Sequence, residues 1–209
     1  MKIAVVCANG KAGKLIVKEA LSRGLDVTAV VRDENRSAAP NAVVKDLFDL
    51  TAADLSGFDA VVDAFGAWTP ETVWGIPEAV KKLCGLLAGT ATRLLVVGGA
   101  GSLYTDKSHT SCVADGKDFP EAFQPLAKAH GEALSLLRDC EDVKWTYISP
   151  ACDFKADGER TGNYLLGGEE LILSQEGESI ISYADYAVAL VDEIVSGKHI
   201  RERISVVKA

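Results

Sequence analysis

The residues with the clearest chemical potential lie near the start of the chain, in Cys7-Ala8-Asn9-Gly10-Lys11-Ala12-Gly13. A bound pyrophosphate needs a tight turn after a strand, bare backbone N–H groups and a helix N-terminus aimed at it. Gly10 and Gly13 supply the last two glycines of G-x-x-G-x-x-G, and Cys7 stands where the first would be. That departure weakens the motif in isolation. Its setting, between a short apolar strand and an amphipathic helix, strengthens it. The plainer alternative is a strand–turn–helix whose glycines serve geometry alone; the dinucleotide reading is favoured over it. The end of the second strand would then choose the cofactor. An acid there reads the adenosine ribose of NAD, whereas an arginine pairs with the 2′-phosphate of NADP. The chain reads Val30-Val31-Arg32-Asp33. Arg32 favours NADP, and Arg36 adds to the local positive field. Asp33 would favour NAD if it pointed inward, and a solvated Arg–Asp pair is the bland alternative.

Acid–base candidates are fewer. A lysine four residues after a tyrosine can lower the phenol pKa for proton transfer to a carbonyl. None of Tyr104, Tyr147, Tyr164, Tyr183 and Tyr186 has one. His130 is the natural proton donor near neutral pH, against a packing or hydrogen-bonding role on a helix face. Ser102 can donate a hydrogen bond to a substrate or nicotinamide oxygen, against an ordinary turn serine. Tyr104, His109 and Asp115 fall in an irregular stretch where this kind of fold places substrates. Trp68, Trp74, Phe119, Phe123 and Phe154 can form a stacking wall, although such aromatics are more often core. Tyr104, His109 and Phe154 are the substrate candidates. No H-E-x-x-H, cysteine cluster or spaced carboxylate pair is present, so no metal is expected. No nucleophile-elbow serine is found.

Strands and helices alternate along the first two thirds of the chain. Strands are expected at 2–8, 26–31, 42–45, 58–65, 93–97, 144–148 and 204–207. Helices are expected after Gly10, from Thr69-Pro70-Glu71 to about Ala88, along Leu126–Leu137 and at 183–195, with Thr51 and Asp54 capping a brief one. Residues 164–166 and 171–173 are candidates for a small ribbon. Such crossovers make parallel neighbours, so the expected fold is α/β: a Rossmann-type doubly wound parallel sheet with helices on both faces. Residues 1–209 form one domain in this reading, with 149–182 a small C-terminal cap on the substrate side.

Composition is consistent with this. The 209 residues are 48% hydrophobic and 25% charged, with a net charge of -8. That charge argues against nucleic acid. No apolar run can span a bilayer, so no membrane partner is expected. Cys7, Cys84, Cys112, Cys140 and Cys152 are scattered and contain no C-x-x-C. They read as reduced thiols in a cytoplasmic protein; Cys112 is expected inert rather than reactive.

The loop Ala8-Asn9-Gly10-Lys11-Ala12-Gly13, then Val31-Arg32, Lys45-Asp46-Leu47 and Ala64-Phe65-Gly66, resembles the atypical short-chain dehydrogenases/reductases. The similar subgroup is NAD(P)H-binding and NmrA-like, and includes flavin reductase/biliverdin IXβ reductase-like proteins. His130-Gly131-Glu132-Ala133, Trp145 to Ala151, Thr161-Gly162-Asn163-Tyr164 and Ile181 to Ala187 extend the resemblance over nearly the whole chain. The resemblance implies that Asp46 and Leu47 hold the adenine edge and that Ala64, Phe65 and Gly66 pass under the adenosine. It implies that Gly98-Gly99-Ala100-Gly101-Ser102 faces the nicotinamide and that Pro150 and Ala151 close over the carboxamide. Sheet packing alone would account for each of these small or apolar residues.

The resulting expectation is an NADPH-preferring oxidoreductase, with NAD possible, that passes hydride to a small-molecule flavin, quinone or similar planar acceptor. The cofactor carries the hydride, so the protein mainly has to align two rings. The first alternative is a non-catalytic NAD(P)-binding redox sensor. An epimerase/dehydratase-type sugar enzyme ranks below it. A monomer or weak homo-oligomer is expected.

Overall fold

A computed structural model describes residues 1–209. Ten strands and four α-helices alternate: β1 (Lys2–Val6), α1 (Lys11–Ser22), β2 (Asp26–Val31), β3 (Asn41–Val44), β4 (Ala60–Asp63), α2 (Gly75–Leu87), β5 (Arg93–Val97), α3 (Gln124–Asp139), β6 (Lys144–Ser149), β7 (Asp153–Lys155), β8 (Tyr164–Gly167), β9 (Ile180–Ser182), α4 (Tyr183–Ser196) and β10 (Glu202–Lys208). The main sheet runs β3-β2-β1-β4-β5-β6-β10-β8. Its first six strands keep the 3-2-1-4-5-6 order of dinucleotide-binding folds, with the order reversing between β1 and β4. Only β8 is antiparallel to its neighbour.

The apolar run of β1 is buried on both sides, and its alternating side chains divide the core. Ile3 and Val5 join one cluster with Ile16, Val17 and Ala20 of α1 and Ala187, Ala189, Leu190 and Val191 of α4. Ala4 and Val6 join the other, with Ala79, Val80 and Leu83 of α2 and Ala133, Leu134 and Leu137 of α3. Two helices therefore cover each face, as the alternation of elements implies.

Three local expectations need correction. Thr69-Pro70-Glu71 starts a set of turns closed by Thr72 and Val73 N–H on the Thr69 carbonyl, and α2 begins only at Gly75. At Gly75 a Cβ would sit 2.7 Å from the Phe65 ring, so the bare residue lets that ring pack on the helix start. Residues 171–173 form no strand: the Leu171 N–H donates to the Tyr104 carbonyl, and β8 pairs with the otherwise open edge of β10. The segment 149–182 is divided rather than a single cap. β8 extends the main sheet, while β7 and β9 pair as a separate two-stranded piece. The Thr51–Asp54 capping box is present, on a 3-10 turn at Ala52–Leu55. No helix is long and apolar enough to cross a membrane.

Candidate functional site

The carboxyl ends of β1, β2, β4, β5 and β6 frame the site. At β1, Cys7 takes φ 59°, the left-handed conformation that favours glycine. This accounts for Cys7 standing in a glycine position: the turn geometry is kept with a non-glycine residue. The Cys7 N–H donates to the Val30 carbonyl at 2.9 Å, and its own carbonyl accepts from Gly10 N–H at 2.9 Å. Burial pushes the thiol up to about 12, helped by Asp63 and opposed by Arg32. Cys7 is thus an inert part of the turn. A Cβ on Gly13 would fall 2.5 Å from the Cys7 oxygen and 2.9 Å from Ala8 Cα, so Gly13 permits close helix–strand packing. Gly10 is the N-cap of α1; no side chain caps this end and no acid lies in the first turn. The backbone N–H groups of Lys11, Ala12 and Gly13 are the orphan donors of a helix start. A bare glycine before an uncapped, acid-free helix start fits a dinucleotide pyrophosphate.

Asn9 has a role within the fold. Its amide donates to the Glu34 carbonyl at 2.9 Å, and its oxygen accepts from Arg36 N–H at 2.7 Å. It therefore ties the glycine loop to the turn after β2. Arg32, at the end of β2, is exposed and makes no hydrogen bond or ion pair within the chain. It lies close enough to Cys7 to act on its thiol. Asp33 is exposed as well. Asp46 accepts from Phe48 N–H at 2.9 Å and so caps the short turn at Leu47–Asp49. Leu47 is buried in the α2–α3 core, which leaves only its backbone for a ligand.

At β4, Asp63 is a functional candidate that sequence reasoning missed. Its carboxyl is buried, accepts from Phe65 N–H at 3.0 Å, and is raised to about 7 by burial, which that hydrogen bond opposes. A single charge at the end of an apolar strand was the available signal. Ala64 is buried and Gly66 is exposed. Phe65 meets Phe48 edge-on at 6.2 Å, and Phe48 stacks with Trp74 at 6.1 Å. Of the five aromatics expected to form a wall, only Trp74 joins this group, and its partners are Phe48 and Phe65. Phe154 lies elsewhere, against Tyr183 and Tyr186 on the α4 side.

At β5 the glycines make room for two rings. A Cβ on Gly98 would lie 2.4 Å from the Tyr147 ring, and one on Gly99 would lie 2.8 Å from the His130 ring. The Gly99 N–H donates to the Tyr147 hydroxyl at 3.0 Å, and that hydroxyl is 3.3 Å from His130 Nδ1. Burial lowers His130 to about 4, so it is neutral at pH 7. A ring held neutral by burial and hydrogen-bonded to Tyr147 matches the hydrogen-bonding alternative for His130. Tyr147 was also missed, because its signal is packing rather than a motif. Pro150 and Ala151 follow β6 and are buried.

Ser102, Tyr104 and His109 are drawn away from the glycine loop. Arg203 of β10 donates to the Ser102 carbonyl and Oγ at 2.8 and 3.0 Å, pairs with Glu169, and lies 5.5 Å over the Tyr104 ring. Tyr104 stacks on His109 at 4.2 Å, and His109 pairs with Glu170 at 2.8 Å. The loop after β5 therefore folds back onto the β10–β8 edge, with β4, β5 and β6 between it and β1 in the sheet. Tyr104 and His109 thus lie in the loop after β5, as expected of the substrate candidates, packed against each other and held by Arg203 and Glu170. Arg203, a buried cation inside a strand, organises that loop and was not foreseen. Asp115 accepts from Cys112 N–H and Sγ at 2.8 and 3.1 Å, and the Cys112 thiol is raised to about 11 by burial and then by that contact.

The fold and the glycine turn define a Rossmann-type dinucleotide-binding protein. The sequence profile of the NAD(P)H-binding family matches residues 7–194, and the chain belongs to that family. A protein of Streptococcus pneumoniae described as a "putative NADH-flavin reductase" is 56% identical, with a TM-score of 0.98 and 100% of each chain covered. YwnB of Bacillus subtilis is 44% identical over 210 residues, covering 99% of this chain and 98% of YwnB. A Bacteroides thetaiotaomicron protein described as a "putative epimerase" is 35% identical, with a TM-score of 0.85, covering 99% of this chain and 96% of that one.

Proposed function

We propose that this protein is an NADPH-preferring reductase that passes hydride to a flavin, quinone or similar planar acceptor. The observation that carries the reading is the β5 end, where glycines bring one neutral imidazole to the crevice and no lysine–tyrosine acid accompanies it. An acceptor that takes hydride by ring alignment suits such a site better than a carbonyl that must be protonated by a tuned acid. The name of the S. pneumoniae relative supports the same acceptor class.

A bound dihydronicotinamide supplies the hydride. In this reading Gly10, Lys11, Ala12 and Gly13 hold the pyrophosphate, with Cys7 shaping the turn and Asn9 fixing the neighbouring loop. Arg32, with no partner inside the fold, takes the 2′-phosphate. Asp46, the backbone of Leu47, and Ala64-Phe65-Gly66 border the adenosine, while Pro150 and Ala151 close the nicotinamide end. The same arrangement without turnover would be a redox sensor. NADPH and NADH oxidation measured against flavins, quinones and aldehydes tests the proposal. Turnover with the planar acceptors and NADPH supports it; turnover with aldehydes alone, or with none, refutes it.

A further inference from the structure

Tyr147 is fully buried in β6, with its ring beneath Gly98 and its hydroxyl beneath Gly99. It is too enclosed to touch a substrate. Its hydroxyl nevertheless stands between two elements of the site. It accepts from the Gly99 N–H at 3.0 Å and has one proton of its own to place. Two acceptors lie at 3.3 Å, the His130 carbonyl and His130 Nδ1. The carbonyl is in the middle of α3, where the helix N–H four residues on already serves it. The ring nitrogen has no other partner.

The remaining edge of the imidazole is open. The Cγ–Cδ2 edge lies along Gly99, with both atoms within 2.9 Å of where a Cβ would be. Any side chain at 99 would displace the ring. Nε2 makes no hydrogen bond within the chain, yet it is not among the buried polar atoms that lack a partner. It therefore retains some access to solvent, on a half-buried ring that lies against Gly99 at the carboxyl end of β5. One nitrogen faces the interior and the other faces outward, and the tautomer of a neutral histidine is set by what its inner nitrogen meets.

We propose that Tyr147 is a positioning residue: its hydroxyl donates to His130 Nδ1, holds the ring as the Nε2–H tautomer, and so presents an uncharged N–H donor above Gly99 to a carbonyl oxygen of the acceptor. The proposal rests on the reductase reading for its acceptor, but the tautomer is a property of the protein alone. Negative charge builds on a flavin or quinone oxygen as hydride arrives, and a fixed neutral donor stabilises it without giving up its proton. Solvent then protonates the reduced acceptor, and His130 is unchanged over the cycle. Burial keeps the ring neutral and is the sole cause of its lowered pKa. The donor is therefore present throughout the neutral range.

The test is long-range proton–nitrogen NMR on the nitrogen-15-labelled protein without acceptor, with a His130→Gln sample assigning the ring. The expected result is a neutral Nε2–H tautomer for His130 between pH 6 and 8, becoming a tautomer mixture in Tyr147→Phe. A wild-type Nδ1–H tautomer, or an unchanged spectrum in Tyr147→Phe, overturns the proposal. Tyr147→Phe keeps the ring under Gly98, and circular dichroism verifies its fold; if it does not fold, the wild-type tautomer still decides. In turnover, Tyr147→Phe should lower kcat about 3–10-fold, the effect of one neutral hydrogen bond, with KM for NADPH unchanged. His130→Gln, which retains an N–H donor, should keep more activity than His130→Ala. An Nε2–H tautomer in a protein that reduces no acceptor would refute the reductase reading while leaving the positioning role intact.

Discussion

Arg32→Ala isolates the choice between the two nicotinamide cofactors. Arg32 is exposed at the end of β2 and makes no intramolecular hydrogen bond or ion pair, so its removal should leave stability within about 0.5 kcal/mol of wild type. In the proposed complex it meets a 2′-phosphate through charge-assisted hydrogen bonds, each contributing about 1.5–3 kcal/mol. Solvent exposure and salt place the effect at the lower end of that range. The predicted loss is about 10- to 30-fold in NADPH affinity, and less than 2-fold for NADH, which lacks the phosphate. Calorimetric titration of both cofactors at two salt concentrations measures this, with the NADPH effect shrinking as salt rises. Equal losses for the two cofactors would refute the assignment of Arg32. Tighter binding of NADH by wild type would make Asp33 the reading residue and overturn the NADP preference.

Four further outcomes follow from the same geometry. Gly10→Asp should abolish dinucleotide binding in a folded protein, because its Cβ meets only the Cys7 oxygen, at 3.2 Å, while its carboxylate repels the pyrophosphate; unchanged affinity would remove the glycine loop from the site. Gly13→Ala should lower stability by about 1–3 kcal/mol by forcing helix and strand apart, read by chemical denaturation. Asp63 has its folded pKa raised from 3.8 to about 7, so the native state binds the extra proton and stability should fall as pH rises from about 4 to 7; Asp63→Asn should flatten that slope and stabilise the protein at pH 8 by up to about 4 kcal/mol, and an unchanged profile would contradict it. His130→Ala should slow planar-acceptor reduction by less than about 10-fold, because water replaces the N–H donor, whereas a loss of about 10²–10⁴-fold accompanied by wild-type turnover of aldehydes would identify a general acid and a carbonyl substrate.

Much of the architecture was legible because it rests on local signals. β2 and β5 follow their β-branched or apolar runs to the residue, and the Thr51–Asp54 box stands where its side chains demand. The glycine loop was legible for the same reason: the turn, the helix start and the packing of Gly13 are all short-range. What was not legible depends on contacts distant in sequence. Arg203 reaches Ser102 across 101 residues and turns the loop after β5 toward the sheet edge. Tyr147 matters only because Gly98 and Gly99 leave space above it. Asp63 reads as a strand-end charge until β1 and β5 enclose it. The Thr69-Pro70-Glu71 signal was assigned to the wrong structure: it closes a set of turns, and α2 begins only at Gly75, against which the Phe65 ring packs.

The proposed function is hydride transfer from NADPH to a planar acceptor. Stopped-flow absorbance of NADPH, mixed with protein and excess flavin or quinone, tests it most directly. Oxidation should exceed the protein-free rate and be strongly reduced in Gly10→Asp. Oxidation no faster than without protein, across both acceptor classes and with NADPH demonstrably bound, would contradict it.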